Sequence, residues 1–500
     1  MSSPRKVLSL LSIAALALGL IGAAGAPGNN ERGNDRPDRG APGSDAVEEQ
    51  RYLVVFRDNS VPNDAQAIVR NAGGSLVGTI PTVGLGFATS ADPGFADALR
   101  GSARVANVDV EPRSALPETV TGPAVTAPEA APDPDPALWG FQWNIRRVHA
   151  PEAWETTTGS HDTVVAVIDT GVAWNHPDLT ANLVHADCFA TPDYEELVGY
   201  ECSNYPDLHW HGTHVAGTVA AKGLGVAGVG PDLGIASYNV FELMQVDEDE
   251  DGDPVYAVLA SFESITRAML DAAEQGFDVI NMSLGAFIDM ADGRDSAATW
   301  TAVQRIGEAI QRQGVTTVVS AGNAAFSLNG EVKSVPGGAA ANTNVSATGI
   351  RPEPDYPLPD SSDVLAFYSN FGASVEIAAP GGDCGLDDSC DPAERPANWF
   401  EFLVLSSFVL DDEGGALAVD DPDKIPECVV TASCAWTWTW AAGTSMAAPH
   451  VAGVAGLVRD EFPHLNANQV ANRLTRTAED LGDRQLFGHG MVDAHAAVTR

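Results

Sequence analysis

The chain has 500 residues, more than one domain usually needs, and 44% are hydrophobic, so a large core can form. Asp and Glu number 68 against 27 Lys and Arg, a formal net charge of -41, and the only lysines are Lys6, Lys222, Lys333 and Lys424. Such a surface repels nucleic acid and anionic membranes and suits solubility in the extracellular medium, tolerance of salt or binding of cations.

In chain order, Arg5 and Lys6 precede an apolar run from Val7 to Ile21 that is too short for a membrane span, followed by Gly22-Ala-Ala-Gly-Ala26. This predicts a signal peptide over 1–26, cut near Ala24 or Ala26, and hence a secreted, extracellular protein. No cysteine sits at the cut, and no later stretch is apolar enough to span a bilayer, so no membrane anchor is expected. Residues 27–50 are rich in Gly, Pro, Asn, Arg and Asp and read as disordered. Residues 51–113 read as a small α+β module. Arg51-Tyr-Leu-Val-Val-Phe56 is a strand, 63–72 a helix ended by Gly73-Gly74, 76–87 two strands around Pro81, 93–99 a helix and 105–110 a strand. Residues 114–137, rich in Ala, Pro, Thr and Asp, predict a stiff exposed linker.

From 138 to 500, apolar strands alternate with amphipathic helices. That pattern predicts an α/β domain of three layers, a mostly parallel sheet flanked by helices. Strands are expected at 163–168, 234–240, 279–283, 316–320, 344–348 and 375–379, and helices at 213–222, 260–275, 297–313, 445–462 and 467–479. Six cysteines fit an oxidising compartment and fall as three local couples, Cys188 with Cys202, Cys384 with Cys390 and Cys428 with Cys434. Fifteen pairings are formally open; local pairing is the expectation.

Three separated stretches carry chemistry: Val164-Val-Ala-Val-Ile-Asp169-Thr-Gly171, His211-Gly-Thr-His214-Val-Ala-Gly217 and Gly443-Thr-Ser445-Met-Ala-Ala-Pro449. Asp169 ends a buried run, at the carboxyl end of a strand, where parallel sheets place their sites. A carboxylate buried there needs a specific partner, which an imidazole would supply. Ser445 opens a long apolar helix, whose N-terminus offers positive potential and a free N–H to a developing oxyanion. Each stretch alone has a plain structural reading, as a turn-capping Asp, a packed histidine or an N-cap Ser. Together they supply an acid, a base and a nucleophile. A fourth stretch, Val318-Val-Ser-Ala-Gly-Asn323, ends in a carboxamide suited to donate to an oxyanion.

The chain order Asp, His, Ser and the four motifs closely resemble the subtilisin-like serine proteases, the subtilases. Trp139-Gly-Phe-Gln-Trp143-Asn-Ile145 through Ala150-Pro-Glu-Ala-Trp154 resembles the start of their mature domain, here 138–500. Tyr52-Leu-Val-Val-Phe56 and Val105-Ala-Asn-Val-Asp-Val-Glu-Pro112 resemble their inhibitory propeptide. The resemblance implies an autoprocessed zymogen, cleaved within 114–137, that hydrolyses peptide bonds through an acyl-enzyme. It selects His211 over His214 as the base and makes Ser445 and Asn323 the oxyanion hole. It makes Ser283, Leu284 and Gly285 one wall of the peptide cleft, and Ser320, Ala321 and Gly322 the other, with the substrate added as a strand. The implied partners are extended polypeptides and the chain's own propeptide, with a monomeric protein and no nucleic acid.

No cofactor is needed for the chemistry; the expected metal is a structural calcium. Asp178, in His176-Pro-Asp178-Leu, matches a calcium ligand of bacterial subtilisins, although 222–231 is shorter than their calcium loop. Asp247, Asp249 and Asp251 alternate before Gly252 like the opening of a calcium loop, but Val258 stands at the twelfth position, so this is no EF-hand. Trp436, Trp438 and Trp440 alternate as one face of a strand. Rival readings are weaker. His209-Trp-His211-Gly-Thr-His214 lacks the Asp of a metallohydrolase, and Gly223-Leu-Gly-Val-Ala-Gly228 follows a helix where a dinucleotide site needs a strand. A binding protein on the same fold would not need all four site residues.

Overall fold

The computed structural model describes residues 49–116, 119–125, 135–189, 208–248, 254–292, 296–350, 363–385 and 389–500. The expected signal peptide and nearly all of 27–50 lie outside these residues.

The first module is an antiparallel sheet of β1 (Gln50–Phe56), β2 (Ser75–Ile80), β3 (Leu85–Ser90) and β4 (Val105–Val110), ordered β2-β3-β1-β4, with helices α1 (Ala65–Asn71) and α2 (Phe95–Arg100). Alternation divides β1 between two cores. Tyr52, Val54 and Phe56 join Val69, Phe95 and Leu99 beneath the module's own helices. Leu53 and Val55 join Phe262, Ile265 and Ala302 of the larger domain. Burial of both faces is why this strand reads as a continuous apolar run.

Two short strands follow, β5 (Arg113–Ala115) and β6 (Val120–Thr121). The larger domain contributes β7 (Val164–Asp169), β8 (Leu183–Cys188), β9 (Gly234–Asn239), β10 (Phe241–Glu248), β11 (Pro254–Ser261) and β12 (Val279–Met282). After these come β13 (Ala286–Asp289), β14 (Thr316–Ser320), β15 (Val332–Val335), β16 (Asn342–Ile350), β17 (Asp363–Leu365), β18 (Ile377–Pro380), β19 (Val404–Leu410) and β20 (Ala435–Ala442). Its principal helices are α3 (Trp210–Ala220), α4 (Phe262–Glu274), α5 (Ala297–Arg312), α6 (Thr444–Glu461) and α7 (Ala467–Thr477). The main sheet runs β17-β16-β14-β12-β7-β9-β8, with β18 also on β16. Every pairing in it is parallel except β16 with β17. Helices α4 and α5 join the core on one side of the sheet, α3 and α6 a second core on the other. The expected three-layer α/β fold is therefore the observed one.

The differences have local causes. Helix α3 begins at Trp210 rather than at 213, because the His209 side chain caps it, accepting from His211 N at 3.2 Å. Helix α4 begins at Phe262 because Ser261 Oγ accepts from Ser264 N at 3.0 Å. The β10–β11 hairpin had no expected counterpart. Within the described part of the expected linker, Ser114 and Ala115 of β5 pair with β11 and β6 pairs with β20, while 117, 118 and 126–134 lie outside the described residues. Composition describes side chains, whereas this segment is held by its main chain. Cys384–Cys390 and Cys428–Cys434 are bridged as expected. Cys188 is disulfide-bonded, and Cys202 lies outside the described residues.

Candidate active site

Parallel register brings the ends of β7, β12 and β14 to one edge of the sheet. Val167 and Val318 both lie beside Asn281, two residues before Ser283. Asp169 closes β7 at that edge, fully buried. Two tight motifs then lock together. Thr170 Oγ1 donates to His209 O at 2.8 Å and accepts from Gly212 N at 3.0 Å, while Thr213 Oγ1 accepts from Ala173 N at 2.8 Å. Gly212 is required by close approach, since a β-carbon there would stand 2.0 Å from Gly171 O. This stitching sets His211 Nδ1 2.7 Å from Asp169 Oδ1, with both side chains buried. The carboxylate fixes the proton on Nδ1, so Nε2 presents its lone pair. Nε2 is shielded and has no hydrogen-bond partner among the described residues.

Ser445 lies in the first turn of α6. The helix has no acceptor for its N–H, as for any first-turn amide. Pro449, four residues on, has no N–H for the Ser445 carbonyl, which instead accepts from Ser283 Oγ at 2.8 Å. The Ser445 hydroxyl donates to Ser283 O at 3.2 Å. Asn323 Oδ1 accepts from Thr444 N at 2.9 Å and from Thr444 Oγ1 at 2.7 Å, which turns its amide nitrogen to the opposite side. That nitrogen stands 3.2 Å from where a Gly443 β-carbon would be. Gly322, at φ +98°, makes the turn that presents Asn323.

The predicted cleft wall is partly engaged. β5 lies antiparallel to β11, and Ala115 also bridges Gly285, so the main chain of 113–115 sits between β11 and Ser283-Leu-Gly285. Past residues 117 and 118, which are not among the described residues, Thr119 Cγ2 stands 3.3 Å from the Gly443 β-carbon position. The chain then pairs with β20 through Val120 and Thr121, and Gly122 N donates to Trp440 O at 2.7 Å. Among the described residues, no bridge joins Ser320, Ala321 or Gly322 to this segment. Ala321 N is used by Val345 O at 2.9 Å.

His214, one turn beyond His211, plays a different part. Its Nε2 reaches Val404 O at 3.1 Å and Thr439 O at 3.2 Å, across the β19–β20 hairpin. Burial, then the neighbouring His211, pushes its pKa down to about 3. Asp178 does not fit a calcium ion. One oxygen accepts from Leu224 N, and the other from Gly225 N, Val226 N and Trp438 Nε1 at 2.9, 3.2 and 2.8 Å. Four N–H dipoles occupy the space a cation would need. Sequence missed this because Trp438 arrives from 260 residues away. Trp438 and Trp440 are buried and Trp436 is 44% exposed, so two of the three tryptophans pack. Asp247 is exposed on β10 with a bulge beside it; Asp249 and Asp251 lie outside the described residues. Thr170, Thr444 and Pro449 were not anticipated as site-building residues. The proline four positions after Ser445 was the one legible signal.

Comparison with known proteins agrees with this geometry. The profile described as the subtilase family matches residues 160–490. Subtilisin DY of Bacillus licheniformis is 30% identical over 340 residues, which cover 67% of this chain and 90% of that protein. Halolysin of Haloferax mediterranei is 30% identical over 365 residues, 72% of this chain and 54% of its own length. The crystal structure of fervidolysin from Fervidobacterium pennivorans, described as a keratinolytic enzyme related to subtilisin, superposes with TM-score 0.61 at 22% identity, covering 92% of this chain and 62% of that one. The epidermin leader peptide processing serine protease of Staphylococcus aureus gives 0.62 at 20% identity, covering 90% and 98%. At these identities the two structures establish the fold.

Proposed function

The chain belongs to the subtilase family of serine proteases, and from that premise we propose a secreted endopeptidase, made as an autoprocessed precursor, acting through Asp169, His211 and Ser445. The carrying observation is a buried imidazole held by Asp169 at 2.7 Å, with its Nε2 unpartnered, beside a cleft that already holds an extended stretch of chain.

In the reaction the Ser445 hydroxyl exchanges Ser283 O for His211 Nε2, gives up its proton there and attacks the peptide carbonyl. Asp169 stabilises the imidazolium. The Ser445 N–H and the Asn323 carboxamide receive the oxyanion, an arrangement in which one donor contributes ~3–4 kcal/mol. The amine leaves with the proton of His211, and water, deprotonated by the same imidazole, hydrolyses the ester on Ser445. Gly285 and the β11 edge hold the substrate backbone by strand addition.

In this reading residues 51–113 are the inhibitory propeptide. Its acidic residues cap the two helices on which it rests. Asp109 Oδ2 accepts from Thr299 N at 2.8 Å, and Glu111 Oε1 from Glu263 N at 2.9 Å. Arg51 pairs with both Glu111 and Glu263 at 2.6 Å. The test is N-terminal sequencing of the secreted protein. A new terminus within 114–137, absent from a Ser445→Ala chain, is expected. A Ser445→Ala chain that processes itself at the same bond would overturn the proposal.

A further inference from the structure

A second His–Asp grouping lies away from the cleft, at the outer edge of the main sheet. His185 and Asp187 are two residues apart on edge strand β8 and so share a face. The register sets Asp187 beside Tyr238 of β9, and Asp271 reaches the same point from α4, accepting from Tyr238 Oη at 2.7 Å. One potential ligand atom from each of His185, Asp187 and Asp271 lies within 4.8 Å of the others. Among the described residues, no ion pair joins the imidazole to either carboxylate. His185 Nε2 is shielded from solvent without a hydrogen-bond partner, and the ring rests against Tyr238 and Phe277 at centroid distances of 5.3 and 5.5 Å. Asp187 Oδ1 takes Cys188 N at 2.7 Å, and Tyr238 takes one oxygen of Asp271, so each carboxylate keeps its other oxygen. The Tyr238 hydroxyl, donating to Asp271 at 2.7 Å, orients that carboxylate.

We propose that His185, Asp187 and Asp271 form a binding site for a divalent transition-metal ion, zinc foremost, that ties edge strand β8 to helix α4. A shielded imidazole without a proton partner suits a borderline ion, and two carboxylates neutralise its charge; calcium favours all-oxygen sites. Two ligands each ~2 Å from one ion stand at most ~4 Å apart, so the site closes by under ~1 Å on binding. Tyr238 is the outer partner that holds Asp271 in place. Water completes the coordination.

The test uses the full Ser445→Ala chain without an affinity tag, so that self-cleavage does not intrude. Zn²⁺ and Co²⁺ are titrated calorimetrically, with unfolding temperature and the visible Co²⁺ spectrum as readouts. The proposal expects a Zn²⁺-dependent rise in unfolding temperature and Co²⁺ d–d bands. It expects at least ~100-fold weaker binding in His185→Gln and ~10–100-fold in Asp271→Asn. Asp187→Asn, read by the Co²⁺ spectrum, serves if His185→Gln fails to fold. Unchanged Zn²⁺ affinity in the folded variants, no Zn²⁺ effect on the parent, or displacement of Zn²⁺ by equimolar Ca²⁺ would each overturn it.

Discussion

Asp169 and His211 are joined at 2.7 Å on a strand end and a buried helix, whereas the Ser445 hydroxyl donates to Ser283 O at 3.2 Å rather than to His211 Nε2. The proposed acid–base pair is set by backbone-to-side-chain bonds between two motifs. The proposed nucleophile depends on which acceptor one hydroxyl takes, while 113–115 lie between β11 and Gly285 and 120–121 lie along β20. In the proposed mechanism this second half of the site is completed only when the hydroxyl exchanges Ser283 O for His211 Nε2 as it meets a substrate carbonyl.

The largest test of this contrast is removal of either partner in the proton transfer. Ser445→Ala and His211→Ala should each lower kcat by ~10⁶, with the double variant no worse, and Asp169→Ala by ~10⁴, magnitudes taken from subtilisin itself. Steady-state hydrolysis of a peptide anilide measures them; additive losses would mean that the two halves do not act as a unit. Next comes Asn323→Ala, which should cost ~10²–10³ in kcat with KM nearly unchanged, again on the subtilisin scale. Thr444→Val, which removes one of the two hydrogen bonds to the Asn323 oxygen, should cost a smaller ~5-fold, about one net hydrogen bond.

Three buried histidines of the body and one carboxylate of the propeptide-like module should make pH-dependent contributions of opposite sign, while Glu376 of the body, raised to about 8 by burial, shares the sign of that carboxylate. Burial lowers His209, His214 and His450 to about 3, 3 and 4, so the unfolded chain binds more protons than the folded one. Their contribution to stability is full above ~6.5 and is lost as pH falls from there through these values. His214→Gln should flatten the acid limb of chemical unfolding by about one proton. Asp109, where the module meets α5, is raised to about 7, chiefly by burial and against the Thr299 hydrogen bond. Its docked state holds the extra proton. The contribution is full below the ordinary carboxylate range and is lost as pH rises to about 7. Unfolding of Ser445→Ala precursor should show the module loosening by at most ~10-fold per pH unit across that window. Asp109→Asn should reduce the slope, leaving what Glu111, also raised by burial, contributes; an unchanged slope would mean that another group controls the dock.

The fold class and the six expected strands of the main sheet were legible because each rests on a local apolar pattern, whereas β8 and β17 at its edges were not anticipated. A buried apolar run ends in Asp169, and a small-residue helix opens at Ser445. The distinction between His211 and His214 was not local. Both are buried on one helix, and only Asp169 on one side and the β19–β20 carbonyls on the other separate their roles. Asp178 misled for the same reason, since its fourth partner, Trp438, comes from a distant insertion. The pairings of 113–115 and 120–121 were not legible because composition carries no record of main-chain pairing. His185 and Asp271 are 86 residues apart, beyond the reach of any spacing rule, as their numbers alone show.

The most direct test of the central claim is labelling of the processed, secreted protein with a fluorophosphonate, with and without brief chelation, followed by peptide mapping. A single adduct on Ser445 that survives EDTA and is lost in His211→Ala is the predicted result. Correctly processed protein that cleaves peptides yet carries no adduct on Ser445 would contradict it.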